Sequence, residues 1–126
     1  MKCAWLVVRS LWELVRYDVM IRLFGFRRVL RSAAGARRQA PAPEPDFENH
    51  VRDAQNWALS LYWKRVFCLQ RSVALARVLR GGGLDAHIVI GCRPEPFTSH
   101  AWVEIDGRVV NDSPAFPKLL YVLERI

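Results

Sequence analysis

What this chain lacks narrows its class before any motif is read. None of its apolar runs approaches the ~20 residues that a bilayer-spanning helix requires. The N-terminal run, Ala4 to Val8, stops at Arg9 and is shorter than the apolar core of an export signal. A reducing, cytoplasmic compartment is therefore expected. The three cysteines are odd in number and irregular in spacing, which argues against a disulfide framework and against a structural zinc site. No internal repeat is present. Acidic residues are scarce in the first third. Residues 1–40 hold two Asp/Glu against nine Lys/Arg, whereas residues 41–126 hold ten of each. The net charge of +7 is thus confined to residues 1–40. Such a segment attracts phosphates, anionic lipid heads or an acidic protein surface. It carries no known nucleic-acid-binding signature, so nucleic acid is not an expected partner.

What remains is a globular composition. The chain has 126 residues, 52% hydrophobic and 25% charged, which suits a single modest core. Trp5, Val8, Trp12, Val15 and Val19 recur at three-four spacing, with Leu11 and Leu14 beside them. That pattern predicts an amphipathic helix over about residues 3–23, with this stripe as its apolar face. Residues 26–40 read as a frayed helix or loop, and Ala40-Pro41-Ala42-Pro43-Glu44-Pro45 as a semi-rigid linker. Asp46 is placed to cap a helix that carries Phe47, Val51, Ala54, Ala58 and Leu61 and runs to about Trp63. Another helix is expected from Cys68 to Arg80, ended by Gly81-Gly82-Gly83. Strands follow at Ala86–Ile90, at His100–Ile105 and, after the turn signal Asp106-Gly107, at Arg108–Asp112. Leu119–Leu123 reads as a fourth strand or a last helical turn. Helices first and an antiparallel meander afterwards give an α+β fold.

Three residues on these elements have matching chemistry. Cys68 opens a helix, where unpaired N–H groups and the helix dipole favour a thiolate. An imidazole, His100, can take the thiol proton and return it to a leaving amine. A carboxylate, Asp112, can fix the tautomer of that imidazole and stabilise its cation. The bland readings fit the other candidates better. Cys3 and Cys92 open no suitable helix, His50 sits on a solvent-facing helix position, and His87 lies in an apolar strand as a structural histidine. Asp85 and Asp106 read as turn residues. Residues 60–67 contain no glutamine to serve as a side-chain oxyanion donor, which leaves Trp63 and Gln70 as weak candidates.

The order Cys-helix, His-strand, Asp-strand resembles that of the transglutaminase-like, papain-related cysteine peptidases. More narrowly, the chain resembles the leader peptidase family of lasso-peptide biosynthesis. The resemblance rests on Cys68-Leu69-Gln70-Arg71-Ser72, Gly83-Leu84, Ser99-His100-Ala101-Trp102-Val103-Glu104, and Asp106-Gly107 before Asn111-Asp112. It covers about residues 47–126; Tyr17-Asp18 and Gly25-Phe26 fit the family's opening less specifically. It implies a transglutaminase-like core in a peptidase domain at 46–126, behind a basic helical arm at 1–40 and a linker at 41–45. It also implies removal of the leader from a ribosomally made precursor, with Cys68, His100 and Asp112 as catalytic residues. The expected partners are the precursor's leader peptide, a small leader-recognition protein and an ATP-dependent macrolactam cyclase. Arg22, Arg27, Arg28 and Arg31, with Arg37 and Arg38, are the expected contacts for the leader or the recognition protein. No metal or organic cofactor is needed for thiol-based amide hydrolysis. Two alternatives stand beside this reading: a basic adaptor that binds an anionic partner through residues 1–40, and an acyl transferase using the same triad.

A register argument tests the Asp112 assignment. A two-residue turn at Asp106-Gly107 would set Ala101 opposite residue 112 and turn His100 to the other face, because side chains alternate along a strand. A three-residue loop, Ile105-Asp106-Gly107, would pair Glu104 with Arg108 and bring His100 opposite Asp112. That loop, with positive φ at Gly107, is the expectation.

Overall fold

The computed structural model describes residues 2–25, 27, 28, 31, 46–63, 65–93, 98–105, 107–110 and 120–126. Within them, helix α1 spans Lys2–Phe24, α2 Phe47–Leu61 and α3 Cys68–Gly81. Strands β1 (Ala86–Arg93), β2 (Thr98–Ile105), β3 (Arg108–Val109) and β4 (Tyr121–Arg125) follow. They form one antiparallel sheet in the order β3-β2-β1-β4. The α+β order expected from the sequence is the one observed. The proline-rich linker and residues 32–40, with Arg37 and Arg38, lie outside the described residues. Of the segment read as a frayed helix or loop, Arg27, Arg28 and Arg31 are helical.

The sheet's inner face meets the helices. Ile88, Val103 and Ile105 are buried in one cluster with Val51 of α2 and with Val73, Ala76 and Leu79 of α3. Full burial of each of the Val, Leu and Ile side chains contributes roughly 1.5–3 kcal/mol. The outer face holds a smaller cluster of Val89, Trp102 and Leu120. The C-terminal stretch, read as strand or helical turn, is strand β4 on the free side of β1.

Three local expectations are corrected. Asp46 precedes α2, but it has a left-handed backbone (φ 63°) and makes no side-chain cap; its carbonyl accepts the His50 N–H instead. α2 ends at Leu61, because Tyr62 turns to an extended conformation. The largest correction concerns α1. The face packed on α2 and α3 carries Leu6, Ser10, Glu13, Leu14, Tyr17 and Asp18, all buried. Trp5, Val8, Trp12, Val15 and Val19 point to solvent. α1 is apolar on two faces, and its neighbours decide which is covered. Arg77 of α3 meets Glu13 at 2.8 Å, with Arg9 at 2.9 Å and Arg16 at 3.8 Å on the same carboxylate. A buried carboxylate is tolerable only when paired, and α3 supplies that pairing on one side of α1 alone.

Candidate active site

Cys68 is the first residue of α3 and is half-buried. The preceding Phe67 is extended (φ −85°, ψ 167°) and makes no side-chain cap. A phenyl ring has no acceptor for the N–H groups of the first turn, which an α-helix leaves without intrahelical partners. Those donors are therefore not consumed by a capping side chain next to the thiol. Phe67 is itself largely exposed, with the Arg65 guanidinium 5.9 Å from its ring centre.

A polar knot lies beside Cys68. The buried Asp18 carboxylate accepts a hydrogen bond from the Tyr62 hydroxyl and another, at 3.1 Å, from Gln70 Nε2. Gln70 Nε2 also donates to the Leu14 carbonyl at 2.9 Å. Burial and then the bond to Asp18 push the Tyr62 phenol up to about 12. Tyr17 is also raised, first by burial, then by the charges of Asp18 and Cys68. The knot ties α1 to α3 and to the turn between α2 and α3, and so fixes where the helix start presents its cysteine. It also corrects one candidate: the Gln70 amide is directed into the fold, donating to Leu14 and Asp18, and is not an oxyanion donor. Trp63 is exposed, with its ring stacked on Tyr62 at 5.8 Å.

His100 lies on β2, opposite Gly91 of β1. Its ring stacks on Trp102, with centroids 6.2 Å apart and planes at 24°. Trp102 is fully buried and donates its indole N–H to Glu104 Oε2 at 2.7 Å. Glu104 is buried too, and its other oxygen meets Arg125 of β4 at 3.2 Å. The i, i+2, i+4 spacing puts His100, Trp102 and Glu104 on one face of the strand. A Cβ added at Gly91 would stand 2.8 Å from Trp102 Cη2, so the glycine makes room for the indole that backs the imidazole.

Ile105 and Val103 face the helices, so strand alternation turns His100 toward the opposite face. Asp112 and Asp106 lie outside the described residues. The hairpin register differs from expectation: Ile105 pairs with Arg108 and Glu104 with Val109, a two-residue turn. Val110 continues that register, donating to the Val103 carbonyl at 2.8 Å. Gly107 has the expected positive φ, 77°, but it serves the tighter turn. The expected Glu104–Arg108 pairing is absent, and with it the register support for Asp112.

The remaining candidates fall as follows. His50 is exposed, and His87 Nε2 lies 3.2 Å from the Asp85 carboxylate, a surface contact. Arg22, Arg27, Arg28 and Arg31 are exposed, and Arg28 lies over the Phe24 ring at 5.3 Å. Among the described residues no group of His, Cys, Asp and Glu side chains could hold a metal ion, and no helix is long and apolar enough to cross a membrane. Sequence reasoning missed the Asp18–Tyr62–Gln70 knot, which has no local signature. It could have found the Trp102–Glu104 support for His100, because the alternation is written in His100-Ala101-Trp102-Val103-Glu104.

Two comparisons with known proteins bear on this arrangement. The chain is 49% identical over 59 residues to the microcin J25-processing protein McjB of Escherichia coli; the stretch is 47% of this chain and 28% of that protein. No solved structure matches. The family model of the Transglutaminase-like superfamily matches residues 11–123, from the middle of α1 into β4. A match over nearly the whole helix-then-sheet order establishes that this chain belongs to the transglutaminase-like superfamily.

Proposed function

We propose that this protein is a cysteine endopeptidase that removes the leader from a ribosomally made lasso-peptide precursor. The observation that carries this reading is Cys68 at the uncapped start of α3, within a chain of the transglutaminase-like superfamily. The similarity to a microcin J25-processing protein supports a peptide-maturation substrate. In the proposed cycle His100 takes the Cys68 proton and the thiolate attacks the scissile carbonyl carbon. First-turn N–H groups of α3 hold the oxyanion. His100 then protonates the leaving amine as the C–N bond breaks, and water hydrolyses the thioester. Asp112 is the proposed orienting carboxylate, on the order Cys-His-Asp alone. The exposed arginines Arg22, Arg27, Arg28 and Arg31 are proposed to contact the leader or a small recognition protein.

The test is cleavage of a synthetic precursor, followed by mass spectrometry with the recognition protein present. Cys68→Ala and His100→Ala should each abolish cleavage with folding intact, and the double variant should add little, because members of a catalytic unit are not additive. Substantial cleavage by either single variant rules the mechanism out. Asp112→Asn should lower the rate severely and Asp106→Asn only slightly; the reverse order transfers the role to Asp106. Adding hydroxylamine traps the proposed intermediate: a hydroxamate in place of the acid identifies an acyl-enzyme thioester.

A further inference from the structure

Among the described residues, the exposed face of α1 is an extended apolar feature that the peptidase reading leaves unused. Trp5 (64% exposed), Val8, Trp12 (59%), Val15 and Val19 follow one another at steps of three, four, three and four. Alternation of that kind, here over two heptads, has the spacing of the a/d seam of a coiled coil, with a period of 3.5 residues. A soluble surface rarely leaves so continuous an apolar stripe uncovered unless something docks there. The geometry of the seam selects a helix as the occupant. It is narrow and straight, whereas a helix lying in a lipid interface presents a broad apolar face. α1 could not sink into a bilayer on its other side either, because that side is packed on α2 and α3.

The charges beside the seam select the occupant's chemistry. Arg9 and Arg16 lie along one edge, each about one-third exposed, and Arg22 lies on the other edge at the helix's C-terminal end. The acidic residues of α1, Glu13 and Asp18, are both buried and engaged with Arg77, Tyr62 and Gln70. Three arginines share the single Glu13 carboxylate, so that cluster remains net positive. A second copy of α1 laid on the seam would bring arginine rims together, and like charges facing each other across an interface cost affinity. We propose that α1 docks, along the Trp5–Val19 seam, an amphipathic helix of another polypeptide whose apolar stripe is flanked by acidic residues. This inference stands apart from the peptidase mechanism and does not need Cys68.

The probe is a synthetic four-heptad helix with Ile and Leu on its seam and Glu on both flanks, which repels itself and stays monomeric. A second peptide has Lys in place of every flanking Glu. Binding of each to the full chain is measured by fluorescence anisotropy, beside sedimentation of the chain alone and flotation with vesicles of anionic lipid. The Glu-flanked peptide should bind, and raising the salt should weaken it. Trp5→Ser and Trp12→Ser should each weaken it at least tenfold. Both positions are exposed, so circular dichroism should show an unchanged fold. The Lys-flanked peptide should bind at least tenfold more weakly than its Glu counterpart. Equal binding of the two peptides, or binding unaffected by both tryptophan changes, overturns the proposal. So does self-association that Trp12→Ser dissolves and the peptide does not compete with, or vesicle flotation lost on Trp12→Ser with no peptide binding.

Discussion

Replacing Glu104 should separate the two things it does. Its Oε2 accepts the indole N–H of Trp102 at 2.7 Å, deep in the sheet's outer cluster, and its Oε1 meets an Arg125 side chain that is 53% exposed. In Glu104→Ala the indole donor is left buried without an acceptor, at a cost of about 1–3 kcal/mol. Loss of the half-exposed arginine pair adds less than about 1 kcal/mol. The total, about 1–4 kcal/mol, is a large share of the ~5–15 kcal/mol that holds a small domain folded. In Glu104→Gln the amide oxygen still accepts from the indole, while its NH2 turns toward Arg125, which can swing into water. A neutral acceptor gives roughly half the strength of a charged one, so the loss should be about 1 kcal/mol. Urea unfolding followed by circular dichroism would measure both. Combining Glu104→Ala with Trp102→Phe removes the orphaned donor, and the double variant should lose less than the sum of its parts by about 1–2 kcal/mol. Equal losses for Gln and Ala would show that the Arg125 pair, not the buried indole, sets the stability. A strictly additive double variant would refute the hydrogen-bond argument altogether. Because Trp102 backs His100, any activity of the Ala variant should fall further than its unfolded fraction accounts for.

The remaining predictions concern the packing around the two candidate side chains, Cys68 and His100. Tyr62 has a phenol pushed from 10.0 to about 12 in the folded state, so its contribution is fully present below pH 10 and is lost as pH rises through 12. Stability should therefore fall across pH 10–12, less steeply in Tyr62→Phe; an identical slope in the two proteins would contradict the Asp18–Tyr62 assignment. Gly91→Ala would place a methyl group 2.8 Å from Trp102 Cη2 and 3.1 Å from Leu120 Cβ. Overpacking of this kind costs about 1–3 kcal/mol, and the shifted ring should change the tryptophan fluorescence; unchanged stability and emission would show that the indole has room to move.

Much of the fold was legible because local rules and tertiary structure agree. The triple glycine ends α3, the β-branched runs form β1 and β2, and Cys68 opens a helix just as its place between Phe67 and the apolar run suggests. Such outcomes depend on backbone entropy and side-chain period, which belong to short stretches of sequence. The face of α1 does not. Both of its stripes are apolar enough to be buried, and the choice is made by Arg77, Tyr62 and Gln70, 44 to 64 residues away in sequence, which give Glu13 and Asp18 partners on one side only. The hairpin register is decided the same way. Gly107 permits either loop, since both need a positive φ there, and the pairing of Glu104 with Val109 selects the shorter one. The sequence by itself determined the order of elements and the residue that begins α3, because those are set by neighbours in the chain. Which apolar face is covered, and what supports His100, only the tertiary structure decided, because a buried charge or indole N–H must find its partner wherever the fold places one.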